Sequence, residues 1–113
     1  MMQGYDKEEA RSFILARIHR QDHAELADQL EKLIAQAIDA DIAFMHESGV
    51  LDEEGYAGEG YYEEDEALEY MVERLAEDND LSPEQAVKVA ALIDDFMDAQ
   101  EAYLRYRGLA SDE

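Results

Sequence analysis

One proline in 113 residues, set directly behind a serine, leaves most of this chain free to be helix and marks where one helix begins. In Leu81-Ser82-Pro83-Glu84-Gln85, Ser82 is an N-cap and Pro83 suits the first helical position, where its missing N–H has no helical partner to lose. Gln85 completes a capping box. From there Ala86, Val89, Ala90, Ile93, Phe96, Met97 and Leu104 recur at helical spacing. Leu92, Ala99 and Tyr103 widen that apolar face, while Asp94, Asp95, Asp98 and Glu101 mark the wet side. With Gly108 as the residue after the cap, the spacing predicts a helix to about Arg107, roughly 37 Å long.

Three more helices are expected before it. Asp6 to about His19 pairs Asp6 with Glu9 as a box and sets Ala10, Phe13, Ile14 and Ile18 on one face. A second long helix is predicted from Asp22, with Glu25 as box partner. It buries Leu26, Leu30, Leu33, Ile34, Ala37, Ile38, Phe44 and Met45 and ends at Ser48-Gly49, with Val50 or Leu51 packing back. Glu63 to about Asp78 buries Leu68, Met71, Val72 and Leu75. The two long helices match in length, which favours packing them antiparallel. Arg20-Gln21-Asp22 contains no breaker, so a fused helix over 6–48 is the alternative at that junction. Residues 52–62 form a loop, with Gly55, Gly58 and Gly60 for backbone freedom. The expected fold is all-α: a single domain over 1–113, a small antiparallel four-helix bundle (three-helix if the first two fuse), with one glycine-, tyrosine- and acid-rich loop. An apolar content of 47% is enough for a core at this length and argues against disorder.

Charge limits the partners. The chain carries −21, and Asp52–Asp80 alone holds thirteen carboxylates against one base, Arg74. Such a surface repels nucleic acid and anionic membrane and attracts basic surfaces, so neither direct nucleic-acid binding nor membrane binding is expected. No apolar run approaches the roughly 18 residues of a membrane span. The first nine residues lack the basic-then-apolar order of a signal peptide, so a cytoplasmic location is expected. Absence of cysteine removes disulfides, thiolate metal sites and cysteine nucleophiles.

Several constellations resemble chemical sites and fall short. His19 and His23 have the spacing of two metal ligands on one helical face, but Arg20-Gln21 replaces the glutamate of a zincin motif. The favoured reading places His19 in a helix's last turn and His23 near the start of the next. No histidine has a glutamate three residues before it, as a di-metal bundle requires. Asp78-Asn79-Asp80 opens like a calcium loop, but Pro83 stands where the turn glycine belongs. Gly55-Tyr56-Ala57-Gly58-Glu59-Gly60 lacks the lysine of a phosphate loop. No cofactor, metal or catalytic set is therefore expected, and the chain reads as a non-enzyme. Asp41 falls on an apolar stripe. The favoured reading puts it at the stripe's edge, reaching water; the other makes it a desolvated site acid or register-setting residue needing a partner such as an arginine.

The functional expectation is a protein-interaction or regulatory module that docks a basic protein surface through Tyr56, Glu59, Tyr61, Tyr62, Glu63, Glu66 and Tyr70. Tyrosine offers large contact area at low entropic cost. The competing reading of Tyr56, Tyr61 and Tyr62 is that they fold back to cover the core. Two further functional readings stand beside docking: a DNA mimic occupying a nucleic-acid-binding protein, and a metal-binding helical bundle. The wide apolar girth of the last helix fits either a central position or a homodimer face.

Overall fold

The computed structural model describes residues 4–52, 58, 60 and 62–108. Four α-helices carry the fold: α1 (Lys7–Arg17), α2 (Leu30–Glu47), α3 (Glu64–Asn79) and α4 (Pro83–Tyr106), with a 3-10 segment (Arg20–Gln29) between α1 and α2. There is no β-strand among the described residues. The helices follow one another around the bundle, each packed on its neighbours in sequence, and α4 closes the ring against α1. Phe44 of α2 meets Tyr70 of α3, while Gln36 meets Asn79, so α2 and α3 run antiparallel. Glu9 at the start of α1 meets Tyr103 near the end of α4, which sets that pair antiparallel too. The two longest helices, α2 and α4, therefore lie on the diagonal and run the same way. The expected antiparallel pairing of those two is not what forms, because in a ring of sequential antiparallel neighbours helices two apart run the same way; nor do they match in length, at 18 and 24 residues.

The missing length of α2 lies in the junction before it. Ile18 and His19 are extended, and His23 breaks helical geometry at φ −130°, ψ 40°. The expected helix start at Asp22 is replaced by 3-10 turns, and the fused alternative is excluded. Ile18, His23, Leu26 and Leu30 are buried, and the three-residue step from His23 to Leu26 is the one that 3-10 turns stack on one face. The polar groups named as a capping box are used elsewhere: Glu25 pairs with Lys88 of α4, and Asp22 is exposed.

At the start of α1 only half of the expected box forms: Asp6 accepts from the Glu8 and Glu9 amides, while Glu9 Oε1 turns to the Tyr103 hydroxyl and Arg107. Ser82 and Gln85 form their capping box, and Gly108 sits past the end of α4 at φ 72°. The core comprises the α2 stripe, Ala10 and Ile14 of α1, Ala67, Met71 and Leu75 of α3, and Val89, Leu92, Ile93, Phe96, Ala99 and Tyr103 of α4. Leu92, Ala99 and Tyr103 are central rather than flanking. The wide face of α4 is taken up inside the bundle by α1, α3 and the 3-10 segment.

Candidate functional site

Two groups of polar residues stand out, one outside the bundle and one within. The outer group is the solvent side of α3. Its first turn holds Glu64, Asp65 and Glu66, where carboxylates face the positive end of the helix dipole. Beyond that turn the dipole offers no support, yet Glu69, Glu73 and Glu77 continue the row that Asp65 begins, four exposed acids at intervals of four residues. Like charges at that interval each cost about 0.2–0.5 kcal/mol of helix stability. The last turn of α3 contains no base, and Asp80 caps it in the left-handed region at φ 51°. Arg74 is the one base of this helix, and it is engaged by Asp78 at 4.0 Å and by the Tyr70 hydroxyl at 2.9 Å. None of the row's four acids forms an ion pair among the described residues.

The inner group surrounds Asp41, which is 1% exposed. The reading that placed it at the stripe's edge is overturned, because Ala40, Asp41 and Ile42 are all buried where α2 faces α4 and the segment entering α3. Among the described residues no arginine bonds to it. Tyr62 donates its hydroxyl to Asp41 Oδ1 at 2.7 Å, and the Gln100 amide donates to Oδ2 at 3.1 Å. Tyr5 donates in turn to Gln100 Oε1 at 2.6 Å. Burial pushes the Asp41 carboxyl above the usual aspartate range, and the bonds from Tyr62 and Gln100 oppose that shift only in part. The Tyr62 and Tyr5 hydroxyls are likewise pushed up, first by burial, with the Asp41 charge adding to the effect.

Glycine brings Tyr62 to this place. The Gly58 and Gly60 amides donate to the Val50 and Gly49 carbonyls at 2.8 and 2.7 Å. A Cβ on Gly60 would overlap the Ser48 carbonyl oxygen, and one on Gly58 the Gly49 carbonyl oxygen. These two glycines serve close backbone approach to the end of α2. Tyr62 then stands edge-on to Phe44 with centroids 5.8 Å apart.

Of the residues expected to bind a partner, Tyr56, Glu59 and Tyr61 lie outside the described residues. Tyr62 takes the core-covering role. Tyr70 leans on Phe44 with its hydroxyl bonded to Arg74, Glu63 is half-buried at the N-cap of α3, and Glu66 is exposed. Gln100 went unnamed in the sequence reading, although a polar residue four after Phe96 on an apolar stripe is the same signal that Asp41 gave. His19 and His23 do not share a helical face: His19 is exposed, and buried His23 meets Asp95 Oδ2 through Nε2 at 2.6 Å. Among the described residues no group of three or more His, Asp or Glu side chains is placed to hold a metal ion, and no helix is long and apolar enough to cross a membrane. Comparison with known proteins finds no matching family model, curated protein or solved structure.

Proposed function

We propose that this protein is a non-enzymatic interaction module that docks a basic protein surface through the outer face of α3. The observation that carries this reading is the row Asp65, Glu69, Glu73 and Glu77. It is exposed, without ion pairs among the described residues, and costly to the helix that bears it. A helix selected only for stability would alternate such a row with lysines. Glu66 extends the surface, and Tyr56, Glu59 and Tyr61 adjoin it in sequence. Charge of this kind speeds association and selects the partner, and apolar contact supplies the affinity. Partners captured from cell extract at low salt should be released as salt rises, and Glu69→Lys with Glu73→Lys should slow association. Capture that ignores both salt and the double variant rules the reading out.

The DNA-mimic reading has one observation in its favour. Glu64–Asp80 carries eight carboxylates and one base, or roughly 3.5 Å of helix axis per net charge. A single DNA strand carries one charge per about 3.4 Å. Competition decides between the two: duplex DNA displaces the partner of a mimic and leaves other basic partners bound.

A further inference from the structure

Asp41 is a carboxylate in the interior with no cation beside it among the described residues, and it joins parts of the chain far apart in sequence. Tyr5 comes from the segment before α1, Asp41 from α2, Gln100 from α4 and Tyr62 from the segment entering α3. The donors are fully assigned when Asp41 is ionised: Tyr5 to Gln100, Gln100 to Oδ2, Tyr62 to Oδ1. Adding a proton to Asp41 reverses one bond. The carboxyl hydrogen then needs an acceptor, and the Tyr62 oxygen supplies one if its own hydrogen turns away. The cluster therefore has two hydrogen-bonded forms related by one proton and one hydroxyl rotation.

We propose that Asp41 is a proton-operated clasp: its neutral form fastens Tyr62, and with it the chain entering α3, to the core, and its ionised form loosens that attachment. This inference does not depend on the docking reading, since it concerns the free chain alone. Burying a charge without a counter-charge is costly, while burying the neutral acid with hydrogen bonds is not. Among the described residues, the titratable groups around the clasp supply no compensating positive charge. They are Tyr5 and Tyr103, Asp39 near Tyr5, and Glu64 near Tyr62. The nearby Lys7 is held by Asp39 at 2.6 Å. Tyr62 is the member to yield first, because Tyr5 and Gln100 are each about 96% or more buried beside α1 and within α4, whereas Tyr62 is half-buried outside any helix.

The sign of the pH effect follows. A carboxyl whose folded-state affinity for the proton exceeds its unfolded-state affinity adds stability as pH falls through its folded-state midpoint, and withdraws it as pH rises. Acidification also relieves the general repulsion of a −21 chain, so the clasp is read from a difference between variants. Carboxyl carbon NMR, assigned by loss of the signal in Asp41→Asn, should find Asp41 titrating above the ordinary aspartate range. Asp41→Asn should melt above wild type at pH 8, with the gap closing toward pH 4. Exchange of the Gly58 and Gly60 amides, corrected for intrinsic base catalysis, should quicken with pH in wild type and not in Asp41→Asn. If Asp41→Asn does not fold, Tyr62→Ala serves instead: although the Tyr62 hydroxyl bonds the ionised form, loss of the whole covering side chain opens Asp41 to water and should move its midpoint down toward the ordinary aspartate range. An ordinary Asp41 midpoint in wild type, a melting gap independent of pH, or a midpoint that stays or rises in Tyr62→Ala overturns the proposal.

Discussion

Asp41 and Glu73 are both helical carboxylates, yet they are held on opposite terms. Asp41 sits inside the bundle, charge-poor in its surroundings and bonded on both oxygens by neutral donors. Glu73 stands in water, with Glu69 and Glu77 one turn away on either side and no ion pair among the described residues. The interior acid costs stability through lost hydration, which hydrogen bonds or a proton can offset. The outer row costs stability through repulsion, which salt or a basic partner can offset. The first cost concerns the chain's own fold; the second is relieved only from outside. For this reason the outer row, and not the buried acid, carries the docking proposal.

The largest expected effect tests whether the interior end is as well anchored as the comparison requires. Tyr103 is fully buried, packs edge-on to Tyr5 and Phe13, and bonds Glu9 through its hydroxyl at 3.0 Å. Tyr103→Ala should cost about 3–5 kcal/mol, measured by urea unfolding. A loss under about 1 kcal/mol would mean that the Tyr5 end is not part of the core. Next in size is Gln100→Leu, which removes a donor from Asp41 and the acceptor of Tyr5 while keeping the volume. It should cost roughly 1–3 kcal/mol, the penalty of leaving buried polar groups unpaired. A neutral result would show that water or another group replaces the amide, and the cluster would no longer be a closed unit.

These two variants also mark how far the sequence could be read. The capping signals at Asp6 and Ser82-Pro83-Gln85 and the apolar stripes of α1, α2 and α4 were legible because they are local: a few neighbouring residues decide them. The 3-10 junction was not. Ile18, Asp22, Leu26 and Leu30 keep helical spacing on paper, and the partners that this junction meets, Asp95 for His23 and Lys88 for Glu25, lie far along the chain where no local pattern reports them. Asp41 showed half of its meaning. Its place on an apolar stripe is local information, but its partners Gln100 and Tyr62 are 59 and 21 residues distant. An arginine was the natural expectation for a buried acid, since nothing local says that tyrosine and amide will reach it instead. The outer acids of α3 were legible as a group, but their arrangement was not. The helix start near Glu63 and the dipole support of its first-turn acids were legible; that Asp65, Glu69, Glu73 and Glu77 stand exposed in one row without ion pairs among the described residues was not.

On the outer side, Glu73→Lys turns two repulsive pairs into attractive ones. Thermal melting at low salt should show a gain of roughly 1 kcal/mol, a few degrees in Tm. The gain should shrink as salt screens the surface. If the variant is less stable than wild type, Glu73 has a local role that its exposure conceals, and the row loses its claim to be kept for a partner.

The smallest effect concerns Asp80, an acid with features of both regions. It ends α3 in the left-handed region at φ 51°, ψ 52°, where the Leu81 amide reaches the Ala76 carbonyl at 3.0 Å. Glycine takes that conformation without the Cβ penalty, and the negative end of the helix dipole disfavours a carboxylate there. Asp80→Gly should therefore stabilise the protein by about 0.5–1 kcal/mol, with most of the gain surviving in high salt because the backbone part is not screened. A gain that vanishes with salt would assign the whole cost to charge and place Asp80 with the outer row. A gain that persists would make it a backbone compromise, and the cost borne for a partner would then be confined to Asp65, Glu69, Glu73 and Glu77.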